Sequence, residues 1–319
     1  MPSIDDPPAP EPRLEAGPEL ARESVAVHPL ADWGTLVVSG AERSSWLEGL
    51  VTCQVGQLQP GQGTWGLTLN RQGKIQSLLW VVAAADRLWL ALAPGTIDSV
   101  EAELGRMLVM EDAELARPSA AQHWWALHGP AAPERARALA QQFDGLAAPI
   151  DWSGLGGAAL VVEAGRASAL LAACDSQLLS ERDWLRLRLE RGLPELGTDF
   201  DGRDRPHEAA LERRAVSWTK GCYLGQEVVC MQDMRGKVKR SLRLLRVEAP
   251  REAELPAGTA VLSAARQPIG KLTSSAFSLR AGAWLALARV DLDPLAQSPD
   301  LYCGQASDLR WPARLCDPI

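Results

Sequence analysis

Eight consecutive residues, Lys220-Gly221-Cys222-Tyr223-Leu224-Gly225-Gln226-Glu227, concentrate more chemistry than any other stretch of this chain. Two glycines four positions apart bracket a thiol and an aromatic ring. Glycine admits positive φ and lets another group approach the backbone closely. A lysine two residues before a cysteine favours the thiolate, which is the nucleophilic form. Gln226 and Glu227 open a helix with apolar positions at Val228, Val229 and Met231, and the free N–H groups at such a start suit an anion. The residues alone leave two readings open: a working thiol, with Cys222 and Lys220 as its catalytic groups, or a structural turn around a buried cysteine, a common place for free Cys. As a nucleophile Cys222 lacks an identifiable base and orienting group; His207 is a partner the sequence cannot bring into contact with it.

The other candidates are weaker. The cysteines at 53, 174, 222, 230, 303 and 316 form no C-x-x-C, which removes the usual zinc and cluster-ligand spacings. A disulfide framework is not expected of six cysteines in a chain this long, so reduced thiols and a cytoplasmic location are. The histidines at 28, 123, 128 and 207 are too dispersed to suggest a metal site. Arg235, Lys237, Lys239, Arg240, Arg243 and Arg246 form a basic run without an acid; it reads as a solvated strand face or as a weak contact for tRNA phosphates or polyglutamate tails.

The elements that must position these groups follow from patterning. The chain has 319 residues and a net charge of −7, enough for two or three packed modules and not the overall balance of a nucleic-acid binder. No apolar run reaches the roughly 18 residues of a membrane helix. Residues 1–24 alternate proline with acids and read as a disordered tail. Strands are expected at 36–38, 64–69, 74–83 and 88–93, with a turn at Asn70-Arg71-Gln72-Gly73, and a helix over 96–107. The strand-Gly-helix pattern at Gly40 recurs at Gly129, ahead of a helix over 131–142, which points to an internal α+β repeat. A strand at 158–163 and a helix at 166–174 follow. Ser180 and Asp183 make a capping-box-like start to a helix over 181–191. After 236 short β-rich runs alternate with Gly258, Gly270, Gly282 and Gly304, the pattern of a small antiparallel barrel. Twelve tryptophans against two tyrosines and three phenylalanines have no account here beyond core and pocket packing.

The K-G-C-[FY]-x-G-Q-E stretch resembles the signature of the YgfZ-like folate-binding proteins, relatives of the glycine-cleavage T-protein that include a mitochondrial iron–sulfur assembly factor. Arg188-Leu-Glu190-Arg-Gly192-Leu-Pro194-Glu-Leu-Gly197-Thr-Asp199 resembles that family's R-x-E-x-G-x-P-x-x-G-x-[DE] block. Pro206-His-Glu208, Trp65 to Lys74 and Ile269-Gly270-Lys271-Leu-Thr273-Ser274 resemble further family elements, so the likeness spans roughly residues 25 to 310. It implies an α+β, T-protein-like three-module ring: a first folate-binding module at 25–120, a second at 121–235 carrying the cysteine motif, and a C-terminal antiparallel β-barrel at 236–319. It implies tetrahydrofolate as cofactor, with Arg188, Glu190, Gly221, Tyr223, Gly225, Gln226 and Glu227 binding it. From the residues alone Arg188 reads as a surface salt bridge with a neighbouring acid; the resemblance places it at the pocket, where a guanidinium fork suits folate's carboxylates or the polar edge of its pterin.

One departure separates two functions. The T-protein hairpin carries an acidic pair after its second glycine, needed for aminomethyl transfer. Here the stretch is Gly73-Lys-Ile-Gln76-Ser77-Leu78-Leu79, and neither Gln nor Ser ionises near neutral pH. The expected function is therefore a folate-binding accessory protein for iron–sulfur enzymes, including those that thiolate tRNA, with iron–sulfur enzymes or assembly proteins as clients. A tetrahydrofolate-dependent one-carbon transferase is the alternative. Cys53, where family members often carry Asn, is either a pocket-lining replacement or a buried small side chain. A disulfide between Cys222 and Cys230 is possible but not indicated.

Overall fold

The computed structural model describes residues 16–236, 238–297, 300–305 and 308–319. It opens on helix α1 (Ala16–Glu23), so the expected tail is corrected from residue 16 onward. Ala21 is fully buried, Arg22 pairs with Glu190, and a Cβ on Gly17 would strike Asp183. Packing of one helix face against the body offsets the ordering entropy that the Pro-rich composition of 1–24 seemed to forbid; residues 1–15 lie outside the described residues.

Strand β1 (Ala26–Leu30) pairs antiparallel with a strand near residue 125, not with its sequence neighbours. The first sheet therefore begins at β2 (Gly34–Ser39). It continues, after α2 (Arg43–Glu48), with β3 (Gly63–Leu69), β4 (Ile75–Ala83), β5 (Arg87–Leu92), helix α3 (Ile97–Gly105) and β6 (Glu114–Ala116), in the order β3-β4-β5-β2-β6. The second sheet has the order β1-β7-β9-β8, from β7 (Gln122–His128), β8 (Leu146–Pro149) and β9 (Gly157–Glu163). Helix α4 (Ala132–Gln142) falls between β7 and β8, and α5 (Ala167–Ala173) and α6 (Glu181–Glu190) follow β9. Ser180 caps α6: its hydroxyl accepts from the Asp183 N–H at 3.1 Å, as the sequence pattern called for, and donates to the Asp183 carboxylate at 2.6 Å in place of the backbone bond of a full capping box.

The two sheets pack face to face. Alternation along β4 sends Leu78, Trp80 and Val82 into the shared core with Trp124, Ala126, Ala159 and Val161 of the second sheet. Leu79, Val81 and Ala83 go to the opposite face, against Val100 and Leu104 of α3 and Trp46 and Leu47 of α2. The second sheet's outer face is covered by Ala132, Ala136 and Leu139 of α4 and Leu170 of α5. Burial on both faces explains why β4 reads as a continuous apolar run.

Helix α7 (Gln226–Arg235) starts where the motif predicted, between two left-handed glycines, Gly225 (φ 81°) and Gly236 (φ 58°). The barrel then closes in the order β10-β13-β12-β11-β14-β15, from β10 (Arg240–Val247), β11 (Ala260–Ser263), β12 (Pro268–Ser278), β13 (Ala283–Asp291), helix α8 (Leu292–Gln297), β14 (Leu301–Gln305) and β15 (Asp308–Leu315). Leu189 of α6 packs on Leu244, Leu285 and Leu287 of its wall. The architecture is thus mixed α+β with a closed antiparallel C-terminal barrel. Among the described residues no helix is long and apolar enough to cross a membrane.

Candidate functional site

The tryptophans find their place at the seam between the sheets. A cavity of about 300 Å³ is lined by His28, Leu30, Trp33, Leu78, Ala93, Pro94, Trp152, Trp184, Arg188 and the loop from Leu193 to Thr198. Ring centroids of Trp152 and Trp184 lie 5.0 Å apart, those of Trp33 and Trp152 6.0 Å, and Trp80 backs both Trp33 (5.2 Å) and Trp152 (5.4 Å). These are the offset and edge-on spacings aromatic quadrupoles favour. Such a box accepts a flat ring. An adjoining cleft of about 420 Å³ shares Trp184, Arg188, Glu195 and Thr198 with it and runs on to Leu255, Pro256, Ala257, Ser274 and Ser275 of the barrel.

Two histidines that looked dispersed in sequence meet here. In the β1–β7 ladder His28 lies opposite Ala126 and His128 opposite Ala26, so the two imidazoles are diagonal neighbours on one sheet face. His28 packs on Trp184 at 4.4 Å and His128 stacks on it at 5.2 Å. Burial pushes their pKa values down to about 4 and about 3, and His28 lowers His128 further; both rings are neutral at pH 7. His28 Nδ1, His128 Nε2 and Trp80 Nε1 are sealed from solvent without a hydrogen-bond partner, an uncommon condition for buried polar atoms.

Arg188 lines the cavity and is no surface ion pair. It is 2 % exposed. Its Nη1 donates to the Asp199 carboxylate at 2.6 Å and its Nη2 lies 3.5 Å from Glu195. Asp199 also accepts from the hydroxyls of Thr273 and Ser274, each at 2.5 Å, and from the Glu195 N–H at 2.9 Å. Strand β12 of the barrel thereby fixes the arginine that faces the aromatic cavity.

The other expected binding residues go elsewhere. Glu190 shares α6 with Arg188 but turns away from the cavity: it accepts from Arg22 at 3.0 Å and from Ser278 at 2.6 Å, tying α1, α6 and the barrel together. Positions 188 and 190 are two apart on a helix and face different ways. The cysteine motif does not contribute to the cavity lining. It packs against the β3–β4 hairpin, where Gly225 and Gly73 touch through their backbones. Tyr223 is buried in the inter-sheet core, its hydroxyl unpartnered and its pKa raised by burial. Gln226 N–H donates to the Tyr223 carbonyl at 3.1 Å. Glu227 and Gly221 are exposed, and a Cβ on Gly221 would meet open space.

Lys220 is the largest correction. Its Nζ donates to the carbonyls of Glu48 (2.7 Å), Val51 (2.8 Å) and Cys53 (2.7 Å), and lies 3.4 Å from the Glu48 carboxylate. All three ammonium hydrogens are committed to the end of α2 and the loop after it, where unpaired carbonyls need donors. Its side chain is sealed, and burial pulls its pKa down. Lys220 therefore acts as a C-terminal helix cap. Cys53, whose carbonyl it holds, is a buried core residue; burial pushes its thiol up to about 12. That favours the small-side-chain reading over pocket lining.

Cys222 is exposed. The half-buried Cys230 on α7 is near enough for the Cys222 charge to add, after burial and Asp233, to the rise in its pKa. His207 bonds Asp233 through Nε2 at 3.2 Å and meets Trp218 edge-on at 6.1 Å, so its ring is engaged away from Cys222. In the basic run Arg240 pairs with Asp291 at 3.0 Å and Arg243 donates to Ser241 at 2.7 Å; Lys237 lies outside the described residues. The described residues hold no cluster of three or more metal-ligating side chains.

Sequence reasoning missed Trp33, Trp152, Trp184 and the histidine pair. The signal was the tryptophan excess, but the rings come from β1, β7, the loops after β1 and β8, and α6, and only the paired sheets bring them together.

Residues 240–319 match the glycine cleavage T-protein C-terminal barrel domain. The chain is 26% identical over 297 residues to the tRNA-modifying protein YgfZ of Aliivibrio fischeri (strain MJ11), spanning 88% of this chain and 91% of that one. It is 28% identical over 258 residues to the tRNA-modifying protein YgfZ of Vibrio vulnificus (strain CMCP6), spanning 76% of each. The crystal structure of the glycine cleavage system aminomethyltransferase T from Bartonella henselae superposes with a TM-score of 0.76 over 95% of this chain and 88% of that one, at 19% identity, a likeness of fold. The chain thus has the T-protein fold with its C-terminal barrel domain, and along most of its length it is a homologue of the YgfZ proteins.

Proposed function

We propose that this protein binds tetrahydrofolate in the tryptophan-lined cavity and acts as an accessory factor for the iron–sulfur enzymes that modify tRNA, in the cytoplasm. The observation that carries the folate reading is the cavity itself: a lining of Trp33, Trp152 and Trp184 with Arg188 and His28 beside them. A pterin ring suits the aromatic lining, with His28 at its edge, and the carboxylates of the glutamate tail suit the adjoining cleft beside Arg188. The role in tRNA modification rests on the similarity to proteins of that name.

Aminomethyl transfer is the weaker reading. On β4 the hairpin presents Leu78 to the cavity, and Ser77 is buried with its hydroxyl on the Leu78 carbonyl and on Thr96. Among the described lining residues the only carboxylate is Glu195, and Arg188 neutralises it at 3.5 Å. A carboxylate balancing a cationic one-carbon centre is thus missing from the strand that supplies it in the transferase.

Titration with tetrahydrofolate, followed by tryptophan fluorescence, tests the cofactor. Arg188→Lys keeps a charge beside Asp199 but loses the fork, and weakens binding about tenfold. No quench and no binding heat with the wild type sinks the reading. For Cys222, complementation of a deletion strain by Cys222→Ser, scored by tRNA thiolation, separates a working thiol from a structural turn. The serine variant stays folded and fails to complement; full complementation reduces the motif to a hairpin anchor.

A further inference from the structure

Trp33, Trp152 and Trp184 line the cavity with apolar ring surface that carries little directional information. Any flat ring of the right size satisfies them. Arg188 and Thr198 are both turned to Glu195, and the remaining directional side chain of the lining is His28. It is 8 % exposed, its ring is fixed against Trp184 at 4.4 Å, and it borders the cavity. Its side chain makes no hydrogen bond to the rest of the protein.

The two nitrogens of this ring differ. Nδ1 is sealed from solvent and unpartnered, which leaves Nε2 as the nitrogen within reach of an occupant. A neutral imidazole carries one proton. Buried N–H groups without an acceptor are rarer and more costly than acceptors without a donor. The surroundings therefore put the proton on Nε2, with the Nδ1 lone pair left facing the core. His128, stacked on the same tryptophan at 5.2 Å and 1 % exposed, stands beside it as a second neutral ring. Arg188 and Glu195 are the charged groups in the lining, and they lie 3.5 Å from each other.

Accepting that the cavity holds a pterin, we infer that His28 is its specificity-determining residue, donating from Nε2 to a ring acceptor and so selecting rings that carry a carbonyl at that edge over rings that carry an amino group there. A carbonyl oxygen accepts the Nε2 proton. An amino group in its place offers a second donor to a donor, and the buried N–H is left without a partner, a mismatch that sites built around a hydrogen bond reject strongly.

The test compares folic acid with aminopterin, which differs from it by an amino group in place of the 4-oxo group. Binding to the full chain is measured by calorimetry at pH 7.5. The wild type prefers folic acid by about tenfold or more. His28→Phe keeps the aromatic packing and loses the preference, binding both ligands alike. His28→Gln, whose amide nitrogen sits near the Nε2 position, keeps part of it. Melting temperatures of the variants report folding. Equal affinity of the wild type for the two ligands, or an undiminished preference in a folded His28→Phe, overturns the inference and leaves the folate reading standing. A wild type that binds neither ligand overturns the inference, and one that also fails to bind tetrahydrofolate overturns both.

Discussion

Gly225 and Gly73 meet backbone to backbone: a Cβ on Gly225 would lie 3.1 Å from the Gly73 Cα and 2.5 Å from the Asn70 carbonyl oxygen. Both have positive φ, 81° and 69°. Two stretches some 150 positions apart, the β3–β4 turn and the turn before α7, thus need glycine for the same contact. Gly225→Ala combines backbone strain with a clash against backbone atoms that cannot yield, and is expected to destabilise by about 2–4 kcal/mol. Gly221→Ala, into open space at an unstrained φ, is expected to change stability by less than about 1 kcal/mol. Urea unfolding of the two variants checks this; equal losses would refute the contact.

Lys220→Met tests the cap. Three carbonyls lose their donor, and Glu48 loses its cation while keeping the N–H groups of Val55 and Gly56. The expected loss is about 2–4 kcal/mol. In protein that remains folded, alkylation of Cys222 should proceed at nearly the wild-type rate. A large fall in alkylation rate with unchanged stability would restore Lys220 as the activator of the thiol.

Arg188→Ala leaves the Asp199 carboxylate buried with two hydroxyls and one N–H as its remaining donors. Breaking a buried pair from one side costs about 3–5 kcal/mol. Asp199→Asn should disturb less than this, and should move Arg188 enough to weaken folate binding. Chemical denaturation alongside folate titration reads both effects.

The histidine pair gives the protein an acid-sensitive core. Both rings are neutral when folded, with pKa values down to about 4 and about 3, and both take up a proton on unfolding near the ordinary value of 6.5. The unfolded chain binds more protons between these limits, so stability falls as pH drops below 6.5 and is fully present above it. From pH 7 to 4.5 the loss is on the order of 2 kcal/mol per ring. His128→Phe should flatten that part of the profile; an unchanged slope in urea midpoints would show that other groups set it.

Thiol labelling should be ordered by exposure. Cys222 reacts first with a bulky disulfide reagent, Cys230 and Cys316 more slowly. Cys53 and Cys303 are both buried with pKa values pushed up to about 12, and wait for unfolding. Mass spectrometry of partly labelled native protein distinguishes this order from any other.

The sequence by itself determined what is local. Hydrophobic period placed β2 to β5, β9 and α3 to α6 within about two residues, while α1, β1, β6 and β8 escaped it; Ser180 and Asp183 announced the α6 cap, and Gly225 marked the turn into α7, because each depends on neighbours a few positions away. The K-G-C-Y-x-G-Q-E stretch carried the family likeness for the same reason. Only the tertiary structure decided partners. The pairing of β1 with β7 moved Ala26–Leu30 into the second sheet and set His28 beside His128, a relationship of strand register over a separation of 100 residues. Lys220 read as the neighbour of Cys222, yet its ammonium reaches the end of α2, since a long side chain follows the unpaired carbonyls it can satisfy and not its place in the chain. The division of the expected site, with Arg188 at the aromatic cavity and the cysteine motif on the hairpin, follows from sheet packing. A seam between two apolar sheets brings rings together from β1, β7, two loops and α6, and no spacing along the sequence encodes that seam.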